Sequence, residues 1–152
     1  MQDSFERTSA GLYRSGAFLI MQQHPFQFVR KDVHPFYINC AMLERAPAHL
    51  NDVVADMTEL LSVESLSHAI SLNVQISGGE SRDWIFSRPV ALNLKIPHLS
   101  IRKDVKTYGV ATNFIAGDIQ PGDYIIHIAD LLTAGTSATQ WIDVIEGSGA
   151  TI

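Results

Sequence analysis

Tyr124-Ile125-Ile126-His127-Ile128-Ala129-Asp130-Leu131-Leu132-Thr133-Ala134-Gly135-Thr136-Ser137 is the stretch whose reading decides the fold. An apolar run of strand length meets one acid, Asp130, and then a small, hydroxyl-rich loop. Ala138-Thr139-Gln140-Trp141-Ile142 follows and reads as the opening of a helix. Strand, loop and helix in this order predict an α/β fold with a mainly parallel sheet, which binds ligands outside the carboxyl ends of its strands.

The loop has a definite chemistry. Backbone N–H groups of Thr133 to Ser137 are expected to converge at the helix N-terminus, where orphan donors and the helix dipole favour an anion, and Gly135 permits close approach. No Lys or Arg follows Lys106, so a phosphate held here relies on backbone donors and on the hydroxyls of Thr133, Thr136 and Ser137. Asp130, at the strand end, is an acceptor suited to two vicinal sugar hydroxyls. Together these residues describe a ribose-phosphate site.

Working outward, 152 residues with 46% hydrophobic and 18% charged side chains suit one globular domain with a full core. The net charge of −5 is uneven, since all eleven Lys and Arg lie in residues 1–106 and residues 107–152 carry acids alone. That distribution argues against a nucleic-acid partner. One cysteine, Cys40, has no partner for an internal disulfide, and no signal peptide or bilayer-length apolar run is present, so a cytoplasmic protein without a membrane partner is expected.

Residues 1–23 carry Ala10, Leu12, Tyr13, Ala17, Phe18, Ile20 and Met21 at roughly helical spacing and predict a short N-terminal helix. Phe26-Gln27-Phe28-Val29 and Pro35-Phe36-Tyr37-Ile38-Asn39 read as two extended pieces of a hairpin around Arg30-Lys31-Asp32. Leu50, Val53, Val54, Met57, Leu60 and Leu61 give an amphipathic helix from Pro47 to about His68. Ile70 to Ile76 alternates as a strand that runs into a glycine turn at Ser77-Gly78-Gly79.

A helix is expected from about Asp83 to Leu94, with Asp83 or Ser81 as its cap and Pro89 tolerated only near its start. Pro97 to Ile101 reads as a short strand, and Gly117-Asp118 with Pro121-Gly122-Asp123 as the turn into a central strand at Tyr124. A helix from Ala138 closes at Gly147, and Thr151-Ile152 begins another strand.

Ala129 to Ser137 resembles the phosphoribosyl-pyrophosphate motif of type I phosphoribosyltransferases, most closely the orotate form: two acids, two apolar residues, then Thr-Thr/Ala-Gly. Ala129 stands where the first acid belongs, and Asp130 matches the second. Arg102, Lys103, Lys106 and Gly109 match the family's mobile loop, with Tyr108 where a His is usual. The resemblance implies a parallel sheet with helices on both faces and a small N-terminal hood, with residues 1–45 as helix and hood and residues 46–152 as core. It further implies transfer of a phosphoribosyl group from phosphoribosyl pyrophosphate to a base, orotate foremost.

In that family Ala129, Asp130, Leu131, Leu132, Thr133, Ala134, Gly135, Thr136 and Ser137 would hold the ribose phosphate. Arg82, Arg102, Lys103, Lys106 and Tyr108 would attend the pyrophosphate, and Tyr37, Ile38 and Thr133 the base. Asp130, Lys103 and Lys106 would be the catalytic groups, the lysines acting across a homodimer. Mg²⁺ would be bound through the substrate's pyrophosphate, with no metal ligand on the protein. The family's base-contacting lysine in the hood has no match at Val29-Arg30-Lys31-Asp32, where Arg30 or Lys31 offers a substitute from a shifted turn. Family members run on through a further strand that supplies an arginine to the orotate site, so the resemblance implies either a core truncated at the C-terminus, the chain being a fragment, or base recognition that is lost or altered.

Two other readings stay open: a non-catalytic domain that binds phosphoribosyl pyrophosphate or a nucleotide, and a transferase for another base. The six histidines show no metal-ligand spacing. His127 reads as a satisfied core residue, Cys40 as a buried thiol, and Ser137 lacks the setting of a hydrolase nucleophile.

Overall fold

The computed structural model describes residues 2–21, 23–27, 33–64, 73–105 and 114–152. The chain divides into two compact units, Met1–Asp56 and Met57–Ile152.

The first unit opens with α1 (Gln2–Arg14). The helix stops because Gly16 takes φ +74°, a left-handed conformation that costs glycine little, while Ala17 N–H donates back to Leu12 O at 2.9 Å. Helical spacing had extended this helix to Met21, but the chain turns, and Phe18–Ile20 forms strand β1. The expected single hairpin is likewise two ladders. Strand β2 (Phe26–Gln27) pairs antiparallel with β3 (Val33–His34), and β4 (Phe36–Ile38) pairs back to β1, with Phe18 opposite Ile38. Phe18 and Phe36 stack at 5.8 Å between ring centroids, a contact that favours this pairing.

Val29 to Asp32 lie outside the described residues. A 3-10 helix at Cys40–Arg45 leads into α2 (Pro47–Glu64), and Ala17, Cys40, Leu43, Val53 and Val54 form the buried apolar set. The expected end of α2 at His68 lies outside the described residues.

The second unit is built on β5 (Val74–Gly79), α3 (Trp84–Leu94), β6 (His98–Ile101), β7 (Ile115–Ala116), β8 (Tyr124–His127) and α4 (Thr136–Glu146). The sheet runs β7-β6-β5-β8, with β5 parallel to both β6 and β8 and β7 antiparallel to β6. Strands β6 and β5 are therefore the inner pair, and β8, expected at the centre, lies beside β5. The outer edge of β8 takes a parallel bridge from Thr151 to Tyr124, the anticipated first step of a further strand.

Ile70 to Leu72 lie outside the described residues, and β5 runs on through the glycines that were expected to form a turn. Packing explains this. A Cβ on Gly78 would stand 2.3 Å from Ser87 Oγ of α3, and one on Gly79 2.3 Å from Trp141 Nε1 of α4. The glycines are in the strand because helices press on both of its faces there.

One face carries Leu99, Ile101 and Ile125 against Trp141 and Ile145 of α4. On the other, Ser87 of α3 meets His98 at 2.9 Å, with Phe86, Val90 and Ala91 buried. Pro89 sits mid-helix in α3 rather than in its first turn. Among the described residues no helix is long and apolar enough to cross a membrane.

Candidate functional site

The parallel strands β5, β6 and β8 end at one edge, and the loops that leave them enclose a cavity of about 290 Å³. The loop after β5 lines it with Glu80, Ser81, Arg82 and Asp83, with a cis peptide between Glu80 and Ser81. Lys103 enters after β6, its backbone N–H donating to Glu80 Oε2 at 3.0 Å. Ala129, Asp130 and Leu131 follow β8, and Ser137, Ala138 and Trp141 belong to α4. The local cause is topological, because parallel strands deliver every connecting loop to the same edge.

Six of the expected binding residues thus meet: Arg82, Lys103, Ala129, Asp130, Leu131 and Ser137. Leu132, Thr133, Ala134 and Thr136 do not line the cavity; Leu132 to Ala134 are exposed between β8 and α4, and Thr136 is the exposed first residue of α4. Gly135 caps α4 at φ +77°, and an added Cβ there would meet nothing within 4 Å, so backbone conformation rather than crowding calls for glycine. The helix opens at Thr136, two residues earlier than expected.

Arg102 does not line the cavity. Its backbone N–H donates to Phe114 O at 2.8 Å, and its Nη1 is buried without a hydrogen-bond partner among the described residues. Tyr37 and Ile38 lie on β4 of the first unit. Lys106, Tyr108 and Gly109 lie outside the described residues.

Sequence reasoning missed the part played by Asp83. It stands at the N-cap of α3 but makes no capping bond. Its Oδ2 instead accepts from Gly79 N–H at 2.9 Å, and its Oδ1 from Asp130 N–H at 2.9 Å. Behind it stands His127, which closes β8. Nδ1 is 2.9 Å from Ser77 Oγ, and Nε2, buried without a hydrogen bond among the described residues, is 3.7 Å from Asp83 Oδ2. His127 is thus half-satisfied rather than a fully bonded core residue, and at 3.7 Å its contact with Asp83 is electrostatic. An acid at a helix start was the only local signal, and it suggested a cap.

These contacts split two neighbouring carboxyls. Burial alone would raise the Asp83 pKa, but His127 and the N–H groups of Asp130 and Gly79 outweigh it and hold Asp83 below its usual range. Burial first, then the adjacent Asp83, push Asp130 up to about 6, with Leu131 N–H and Arg82 opposing. The cavity therefore offers two cations, Arg82 and Lys103, and three acids, Glu80, Asp83 and an Asp130 held up at about 6.

A larger cleft, about 530 Å³, opens at the amino edge of the sheet, but Asp118, Asp123, Gln75 and His98 line it without Lys or Arg, the wrong chemistry for phosphate. Among the described residues no group of three or more His, Cys, Asp or Glu could hold a metal ion.

No family model matches the chain. Adenine phosphoribosyltransferase of a Nocardioides species is 30% identical over 135 residues, which are 80% of this chain and 68% of that protein. The chain belongs to the type I phosphoribosyltransferases. Orotate phosphoribosyltransferase of Methanosarcina mazei is 36% identical to this phosphoribosyltransferase chain over 77 residues, 51% of it and 41% of the relative. The chain thus spans between about two-fifths and two-thirds of these two relatives. Orotate phosphoribosyltransferase from Aeropyrum pernix shares the phosphoribosyltransferase fold, with a TM-score of 0.70 and 22% identity over 95% of this chain and 75% of that one.

Proposed function

We propose that the protein transfers the phosphoribosyl group of phosphoribosyl pyrophosphate to a ring nitrogen of a base, orotate giving orotidine 5′-phosphate and pyrophosphate. The observation that carries this reading is the carboxyl-edge cavity, in which Arg82 and Lys103 face Asp130 beside the N-terminus of α4. The helix N-terminus with Ser137 suits the 5′-phosphate, Asp130 suits the ribose hydroxyls, and the two cations suit the pyrophosphate. As the nitrogen bonds to the anomeric carbon, the carbon–oxygen bond breaks and its electron pair leaves with pyrophosphate. Lys103, with Lys106 of a second copy in a homodimer, would stabilise that charge.

Mg²⁺ enters this reading with the substrate, bound by pyrophosphate oxygens. Both the orotate and the adenine relatives support transfer to a nitrogenous base, and the adenine relative favours a second reading in which a purine is the acceptor.

Calorimetric titration with phosphoribosyl pyrophosphate and Mg²⁺ tests the site. Wild type should bind, and Asp130→Ala should weaken binding by about tenfold or more, as loss of a charge-assisted hydrogen bond does. Adding orotate or adenine then reads the acceptor through pyrophosphate release. A folded wild type that does not bind ends the proposal, and binding without release for any base would make the domain a sensor.

A further inference from the structure

Asp83 is a carboxylate that spans two loops of the cavity. One oxygen holds Gly79, the last residue of β5, and the other holds Asp130, just beyond β8. It sits at the N-cap of α3 yet spends neither oxygen on its own helix. Its surroundings hold it in place. The Trp84 indole N–H donates to Gly78 O at 2.7 Å, and Arg88 lies over the Trp84 ring at 4.6 Å, so the turn bearing Asp83 is pinned to the strand it reaches back to. On the far side, Ser77 orients His127 toward the same carboxylate. Those contacts fit the tautomer with the proton on Nε2, Ser77 Oγ donating to Nδ1.

We propose that Asp83 is a positioning residue, a clasp that joins the turn after β5 to the loop after β8 and so fixes where the Asp130 carboxyl stands in the cavity. The proposal deepens the phosphoribosyl-transfer reading and rests on it for its consequence in ligand binding. Asp83 also fixes a negative charge beside Asp130. The other charged groups that bear on this pair are Arg82, Glu80 and Lys103 in the cavity and His127 behind it. Burial and then Asp83 hold the Asp130 carboxyl up at about 6, and the Asp83 bond tethers the Asp130 backbone to the turn after β5. Replacing Asp83 by Asn keeps the shape and one acceptor but removes the charge and one of the two backbone bonds.

The experiment is residue-resolved NMR on wild type, Asp83→Asn and Asp83→Ser, measuring amide hydrogen exchange and the carboxyl titration of Asp130. In wild type the Gly79 and Asp130 amides should be protected, and Asp130 should titrate above the ordinary carboxylate range. In Asp83→Ser both amides, and in Asp83→Asn the one left facing the side-chain NH2, should lose protection by about tenfold or more, while Ile76, bonded to Pro97 O within the sheet, keeps its protection, and in both variants the Asp130 titration should move down.

Unprotected Gly79 and Asp130 amides in wild type would overturn the clasp, and so would an Asp130 titration that ignores the loss of Asp83 charge. The wild-type arm decides even if both variants fail to fold. Phosphoribosyl pyrophosphate with Mg²⁺ is then titrated into wild type and Asp83→Asn from pH 5 to 8, and the acid limb of binding should fall to lower pH in the variant. Absence of binding by wild type with the NMR pattern intact would sink the transferase reading and leave the clasp standing.

Discussion

Asp130 carries the sharpest consequence at the scale of a residue, because its carboxyl is held up at about 6 by burial and by Asp83. A carboxylate accepts two sugar hydroxyls with charge assistance, whereas the neutral acid loses the charge and turns one oxygen into a donor, so affinity for phosphoribosyl pyrophosphate should decline as pH falls through about 6. Stability runs the other way. A folded pKa raised above the unfolded value gives a contribution that is full below the unfolded value and lost as pH rises through the folded one. Asp130→Asn should therefore leave stability near wild type at pH 4 and raise it at pH 7, by about 1 kcal/mol once screening of a half-exposed group is allowed for. Urea unfolding at the two pH values checks the sign, and a variant less stable at pH 7 than at pH 4 relative to wild type would refute it. Asp130 itself was legible in the sequence because it ends an apolar run next to a hydroxyl-rich loop. Asp83 was not, since Asp130, the partner that gives it its place in the site, lies 47 residues away and only the parallel register of β5 and β8 brings it near.

At the scale of elements, the two glycines of the site answer to different physics, and substitution separates them. Gly79→Ala drives a methyl group into the Trp141 indole, which is 3% exposed and belongs to the core of the second unit. Such overpacking should cost about 1–3 kcal/mol, and because Trp141 also lines the cavity, ligand affinity should drop with it. Gly135→Ala meets open space, so its cost should be about 1 kcal/mol, from the left-handed φ alone. Urea midpoints compare the two, and equal costs would show that crowding at β5 is relieved more easily than the contacts suggest. The same contrast explains which elements the sequence revealed. Apolar periodicity located α2, α3 and β6, because each buries a face that its own residues announce. It misjudged the end of β5 and the course of 17–21, because a glycine inside a strand and a glycine ending a helix look alike until the helices packed against them are known.

Across the whole molecule, the two units carry separate internal supports. In the first, the Asp56 carboxylate, 7% exposed, accepts from Arg7 Nε at 2.5 Å and from Thr8 Oγ1 at 2.5 Å, tying α1 to α2. In the second, Leu99, Ile101, Ile125, Trp141 and Ile145 form one apolar cluster. Both tryptophans of the chain, Trp84 and Trp141, belong to the second unit, whereas far-UV circular dichroism reports the helices of both. Arg7→Ala leaves a buried carboxylate with its threonine donor but without its cation. That change should destabilise the first unit by about 1–2 kcal/mol, discounted because the arginine is itself 45% exposed. Urea unfolding followed by both signals measures where the loss falls. The expected result is an earlier dichroism transition with a fluorescence midpoint close to wild type. Two signals displaced together by the full amount would mean that the units unfold as one, and an unmoved dichroism midpoint would mean that the Arg7–Asp56 pair contributes nothing to the first unit.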